Sequence, residues 1–182
     1  AGKVLCMDLN GDGTRIATGD SAFVARVWDA RTGQPLSIPM AHDENVFSVR
    51  FSPDGRFVAT ASEDFTAKIW EAETGALLSR PLQHVNAVLD AVFSPDGRLL
   101  LTRGFEGVAQ VWEVPSGRPF GPPLWHCGLV SSAAFHPDGE RVVTASADGG
   151  VRLWELSGGP QPYRPWSDPL RKVVSAAWDG AR

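Results

Sequence analysis

The chain has 182 residues, 43% of them apolar, enough to bury a core, which excludes intrinsic disorder. Seventeen basic against 21 acidic residues leave a net charge of −4, no footprint for nucleic acid or an anionic membrane surface, and no window approaches the ~20 consecutive apolar residues of a membrane-spanning helix. The 19 glycines and 14 prolines punctuate the chain too densely for long helices, which excludes a helical bundle and suits many short strands.

The first ten residues, AGKVLCMDLN, lack the charged-then-apolar layout of a signal peptide. Cys6 and Cys127 form no CxxC pair and read as reduced thiols, as expected of a cytoplasmic protein. DLNGDG (8–13) places oxygens at Asp8, Asn10 and Asp12 as a calcium loop does, yet Gly19 stands where the bidentate glutamate belongs. Register favours a turn, because Asn10-Gly11-Asp12-Gly13 replaces Ser52-Pro53-Asp54-Gly55 of a repeating unit.

That unit recurs every 42 residues. Trp28, Trp70, Trp112 and Trp154 keep the spacing, as do His42, His84 and His126, and as do Leu9, Phe51, Phe93 and Phe135. Repeats therefore fall at approximately 1–42, 43–84, 85–126 and 127–168, with a partial fifth at 169–182. In the second repeat, VFSVRFS (46–52) and FVATAS (57–62) are β-branched and aromatic runs joined by Pro53-Asp54-Gly55, a turn in which proline presets φ and glycine takes positive φ. AKIWEA (67–72) follows Asp64-Phe65-Thr66, and ETGA (73–76) turns the chain into ALLSRPL (76–82). The same order recurs at 15–40, 99–124 and 141–165, so that the proline-rich 158–169 is a fourth strand rather than a polyproline ligand. Residues 172–178 are predicted as one further first strand. Four strands per 42 residues form one blade of a propeller, an all-β architecture in which each sheet buries its faces by stacking on its neighbours.

The FSPDG turns, the S-x-D before each third strand, the tryptophan ending that strand and the histidine opening the next repeat resemble the WD40 family over the whole chain. GRPFGPPLWHCG (117–128) further resembles the tandem WD40 arrays of bacterial multidomain proteins, some of which carry a protein kinase elsewhere. Seven blades are common in the family, and seven such repeats need more than 182 residues. The expected alternatives, in order, are a segment of a larger ring, a closed four-bladed ring, and a ring completed by a second chain.

The resemblance also implies a buried tetrad in which tryptophan donates to a serine hydroxyl, serine bonds histidine, and histidine bonds aspartate. Complete sets are His42, Ser62, Asp64 and Trp70, and His126, Ser146, Asp148 and Trp154. His84 and Trp112 form a partial one, with Gly104 and Glu106 where serine and aspartate belong, and the first repeat has Asp20 and Ala22 there. Repeats one and three are thus expected to be softer. Ser, His and Asp also compose a hydrolytic triad, but a set recurring in each blade favours a structural role, since catalysis needs one site.

The function implied is a non-catalytic scaffold for a protein or peptide, with no cofactor or metal; the alternative is an enzyme or a regulatory domain with a small-molecule or ion site at the central mouth. Asn45, Phe47, Glu63, Leu89, Phe105, Leu129 and Lys172 are the candidate interaction face. Glu63 is its single carboxylate and it holds no histidine, whereas acid–base chemistry wants two titratable groups. Aromatic anchors within a polar rim are what an interface wants.

Overall fold

The protein is described here from a computed structural model, which covers residues 2–156 and the backbone of 164–166. The expected strand 172–178, with Lys172, lies outside the described residues. Blade one is β1 (Val4–Leu9), β2 (Arg15–Asp20), β3 (Val24–Asp29) and β4 (Met40–Ala41). Blade two is β5 (Val46–Phe51), β6 (Phe57–Ser62), β7 (Thr66–Glu71) and β8 (Leu82–Gln83). Blade three is β9 (Val88–Phe93), β10 (Leu99–Gly104), β11 (Val108–Glu113) and β12 (Leu124–Trp125). Blade four is β13 (Val130–Phe135), β14 (Arg141–Ser146), β15 (Val151–Glu155) and β16 (Arg164–Trp166). Each blade is one antiparallel sheet with its strands in chain order.

The turns form as their residues dictate. Between β5 and β6, Asp54 accepts the Arg56 amide (3.0 Å) and the Ser52 hydroxyl (2.6 Å), while Gly55 sits at φ 68°, a conformation glycine adopts without cost. The first-repeat turn works alike, as its register predicts. Asn10 and Asp12 bond the amides of Arg15 and Thr14, and Asp8 reaches across to the Phe51 amide of blade two at 2.8 Å.

The outermost strands are shorter than the sequence suggests. The expected run 76–82 reduces to Leu82–Gln83 plus a single bridge from Leu77 to Trp70, and blades one and three bridge at Pro35 and Pro119. Pro81 and its neighbours in the other repeats lack the N–H a ladder needs, so pairing survives only in pieces. In blade four Arg164–Trp166 pair with β15 as the fourth strand; the rest of the 158–169 stretch lies outside the described residues.

The core lies between blades. Small residues on one face, Ala17, Ala25 and Val27 of blade one, receive Val49, Phe51 and Trp70 of blade two; Ala59, Ala61 and Ala67 serve the next junction, and at the third Leu101 replaces the first alanine while Ala133 replaces Val49. Polar bonds cross the same junctions on the inner strands. Ser48 donates to Asp90 at 2.7 Å, and Asp90 is flanked by Arg50 (4.0 Å) and Arg103 (3.8 Å). Cys6, also at a junction, is a free thiol whose pKa burial pushes up to about 11, so it stays protonated. Among the described residues nothing covers the face of blade one that carries Met7 and Leu9: they are 53% and 51% exposed, whereas Val49 and Phe51, one repeat on, are 0% and 8%.

Candidate interaction face

The loops joining second to third strands, and those joining one blade to the next, lie at the same end of every sheet. Behind them runs a hydrogen-bonded relay. In blade two the Trp70 indole donates to Thr60 Oγ1 (2.9 Å), Thr60 donates to His42 Nε2 (2.7 Å), and His42 Nδ1 donates to Asp64 Oδ2 (2.7 Å). Asp64 then accepts the amides of Asp43 and Thr66 and the Thr66 hydroxyl, which ties the inter-blade loop to the turn before β7. Blade four repeats the relay through Trp154, Thr144, His126 and Asp148.

The hydroxyl of the relay is therefore threonine, not the expected Ser62 and Ser146. Those serines accept the amides of Asp64 and Asp148 and donate to the carbonyls of Glu44 and Gly128. Trp70, at the end of the third strand, stands across from Val58, and its indole reaches Thr60, two residues before the S-x-D serine. Thr18, Thr60, Thr102 and Thr144 keep the 42-residue spacing, a signal present in the sequence and passed over.

Blade three keeps the relay as far as its carboxylate, but Glu106 Oε2 is buried without a partner and takes no loop amide as Asp64 and Asp148 do. Trp112 donates to Thr102 (2.7 Å), Thr102 to His84 (2.8 Å), and His84 to Glu106 (2.5 Å). The longer glutamate occupies the room a serine side chain would take: a Cβ added to Gly104 meets Glu106 Oε2 at 2.3 Å. Gly104 and Glu106 are a matched pair, and a serine at 104 needs both the glutamate and the Ala87 carbonyl, 2.9 Å from the same Cβ, to give way. In blade one the relay stops at Trp28 and Thr18, and Asp20 alone accepts the amides of Ala22 and Val24.

Thr60, His42 and Asp64 have the order and the distances of a nucleophile, base and carboxylate. Thr60 is fully buried, with its oxygen held by the Trp70 indole, so no substrate atom reaches it. Burial holds the His42 and His126 imidazoles below their ordinary value of 6.5 despite the attraction of Asp64 and Asp148. The aspartates resist burial through the histidine, amide and hydroxyl donors aimed at them: Asp64 falls well below the carboxylate range, and Asp148 falls to about 2.

On the exposed side of the relay, Asn45 Nδ2 donates to Glu63 Oε2 at 2.7 Å, so these two form one fixed polar pair. Phe47, Leu89 and Leu129 are half-buried, whereas Phe105 is 52% exposed. Two exposed aromatics were not anticipated. Phe23 and Phe65, one repeat apart in their turns, both have φ 69°. A bulky side chain in the left-handed region costs roughly 1–2 kcal/mol, and Gly107 and Gly149 occupy the same position in blades three and four. Among the described residues, no group of three or more His, Cys, Asp or Glu is placed to hold a metal ion.

A family model described as WD domain, G-beta repeat matches residues 1–29, 33–71, 76–113 and 124–155. No curated protein matches the chain. Among solved structures, the computationally designed Ika8 protein is similar at TM-score 0.83 and 22% identity, the match covering 97% of this chain and 52% of that one. The chain thus spans about half the length of that structure's chain, and the likeness is one of fold.

Thr60→Val, which keeps the shape and removes the hydroxyl, leaves the Trp70 N–H and His42 Nε2 unpaired and is expected to cost about 2–3 kcal/mol in urea unfolding. Thr18→Val, with no histidine to strand, is expected to cost less than half as much. Acid should weaken the fold in two stages. The depressed imidazoles make the unfolded chain bind more protons as pH falls below 6.5, and the depressed carboxylates add to this below 3.8. Calorimetry is expected to show Tm level above neutrality and falling steadily below it; a Tm that rises on acidification would mean that the histidines are stabilised as cations.

Proposed function

The chain belongs to the WD40 repeat family, and from that premise we propose that it is a non-catalytic scaffold whose loop end binds a protein or peptide. What carries the reading is the pair Phe23 and Phe65. Side chains of this size keep a left-handed backbone only where the surroundings over-determine it, and such strain gathers at functional positions. With Phe105 they supply exposed rigid aromatics, and the Asn45–Glu63 pair supplies a polar rim. The carboxylates and imidazoles behind them are already committed to one another, which supports binding over acid–base chemistry.

Phe65→Gly separates binding from folding. Glycine relieves the turn, so stability is expected to hold or rise by up to about 1 kcal/mol while partner capture is lost. Phe105→Ser is expected to lose the same partners, and Arg31→Ala, at the opposite end of blade one, to keep them. Partners lost equally with Arg31→Ala, or a turnover abolished by Ser62→Ala with the fold intact, would overturn the proposal.

The open face of blade one bears on the partner's kind. Met7 and Leu9 occupy the positions that Val49 and Phe51 use against a neighbouring blade, so a repeat of this same type is what fits them. The 182-residue polypeptide is expected to self-associate in solution, and Met7→Lys with Leu9→Lys to reduce it to 19.6 kDa. Light scattering that finds the unaltered polypeptide already monomeric would refute this.

A further inference from the structure

The rim of each blade, on the outer side of the relay, carries a second 42-residue series that one blade breaks. Arg26, Lys68 and Arg152 are basic; the fourth member is Gln110. In the three basic blades the cation covers the relay. Lys68 Nζ lies 5.8 Å from the Trp70 ring centre, 3.8 Å from Asp64 Oδ2, and donates to the Ala41 carbonyl at 2.9 Å. Arg152 places its guanidinium 3.3 Å from Asp148 Oδ2 and donates to the Trp125 carbonyl. Arg26 stacks over Trp28 at 5.5 Å, even though Ala22 offers it no carboxylate.

Blade three keeps every acceptor of that cation. Trp112 supplies the ring, and Glu106 Oε1, the oxygen bonded to His84, corresponds to the aspartate oxygens that Lys68 and Arg152 approach. The Gln83 carbonyl holds the repeat position of the Ala41 and Trp125 carbonyls. Gln110, instead of reaching out, turns its amide to the carbonyls of Val111 (2.8 Å) and Gly121 (3.3 Å). A cavity of about 360 Å³ opens there, lined by Gln83, Glu106, Val108, Gln110, Trp112 and Trp125. Trp125, 63% exposed, stands where the other described blades hold Ala41 and Gln83, and adds a second aromatic wall.

We propose that this rim cavity binds the side-chain cation of a partner polypeptide, a lysine in first place, inserted between Trp112 and Trp125 with its ammonium toward Glu106 and the Gln83 carbonyl. The partner would supply in trans what Lys68 supplies in cis. Two indoles, an apolar lining and a carboxylate are complementary to such a group, and desolvation strengthens each of these attractions. The site is separate from the loop-end aromatics and stands whether or not they bind.

The probe is the tripeptide acetyl-Gly-Lys-Gly-amide, followed through the assigned indole signals of Trp112 and Trp125. Saturable shifts at both are expected, with an isosteric norleucine peptide about tenfold weaker and the lysine peptide losing affinity as salt rises. Gln110→Lys, which copies blade two and fills the cavity from within, is expected to abolish the shifts and leave the relay intact. Should that variant fail to fold, Glu106→Gln provides the same reading through weaker binding. Equal affinity for the norleucine peptide, unchanged binding in the folded variant, or no shift at millimolar peptide would overturn the proposal.

Discussion

Each blade is a four-stranded sheet with two faces to bury and no helix to bury them, so the structure depends on one sheet lying flat against the next. That constraint selects small residues on one side of a junction and bulky ones on the other. Ala17, Ala25 and Val27 make the floor that Val49 and Phe51 cover; Ala59, Ala61 and Ala67 serve blade three in the same way. Exchanging the two classes would either overfill a junction or leave a void, and close-packed interiors resist both. It also explains why the inner strands carry the cross-blade bonds of Asp8, Ser48 and Asp90: these strands crowd together nearest the axis of stacking.

Stacking alone does not hold the rim, where proline leaves the outermost strands with few ladder bonds. There the relay takes over. Each link is a donor aimed at one acceptor, from indole through threonine and imidazole to carboxylate, and all are polarised in one direction. The carboxylate end then collects amides from two loops, so an interior network fixes an exterior surface. The loop-end aromatics and the rim cavity lie on opposite sides of this relay and inherit its rigidity.

Much of this was legible in the sequence because period and turn chemistry are local. The tryptophan, histidine and FSPDG series located the first three strands of each blade to within a residue. Length failed for β4, β8 and β12, since alternation cannot show how many ladder bonds proline removes. The relay's hydroxyl was misassigned for a different reason. Ser62 lies near Asp64 in the chain and shares a strand face with Thr60, so the pattern of alternation cannot choose between them; pairing register does, since Trp70 opposite Val58 brings the indole to Thr60 and leaves Ser62 further along β6. Phe23 and Phe65 escaped notice because φ has no signature in composition when the residue is not glycine. The break at Gln110 was visible in the spacing, yet its meaning needed the cations of the other blades in three dimensions.

The mutual fit of Gly104 and Glu106 favours one order in which a blade of one kind becomes a blade of the other. Lengthening the aspartate while serine is still present drives a carboxylate into a Cβ, whereas removing the serine side chain first costs only its bond to the loop and the freedom glycine adds to the chain. A path of single steps, by drift or by design, runs more easily through glycine than through serine beside glutamate. The two positions are therefore coupled, and a repeat that looks degenerate by residue count can keep its relay from tryptophan to carboxylate.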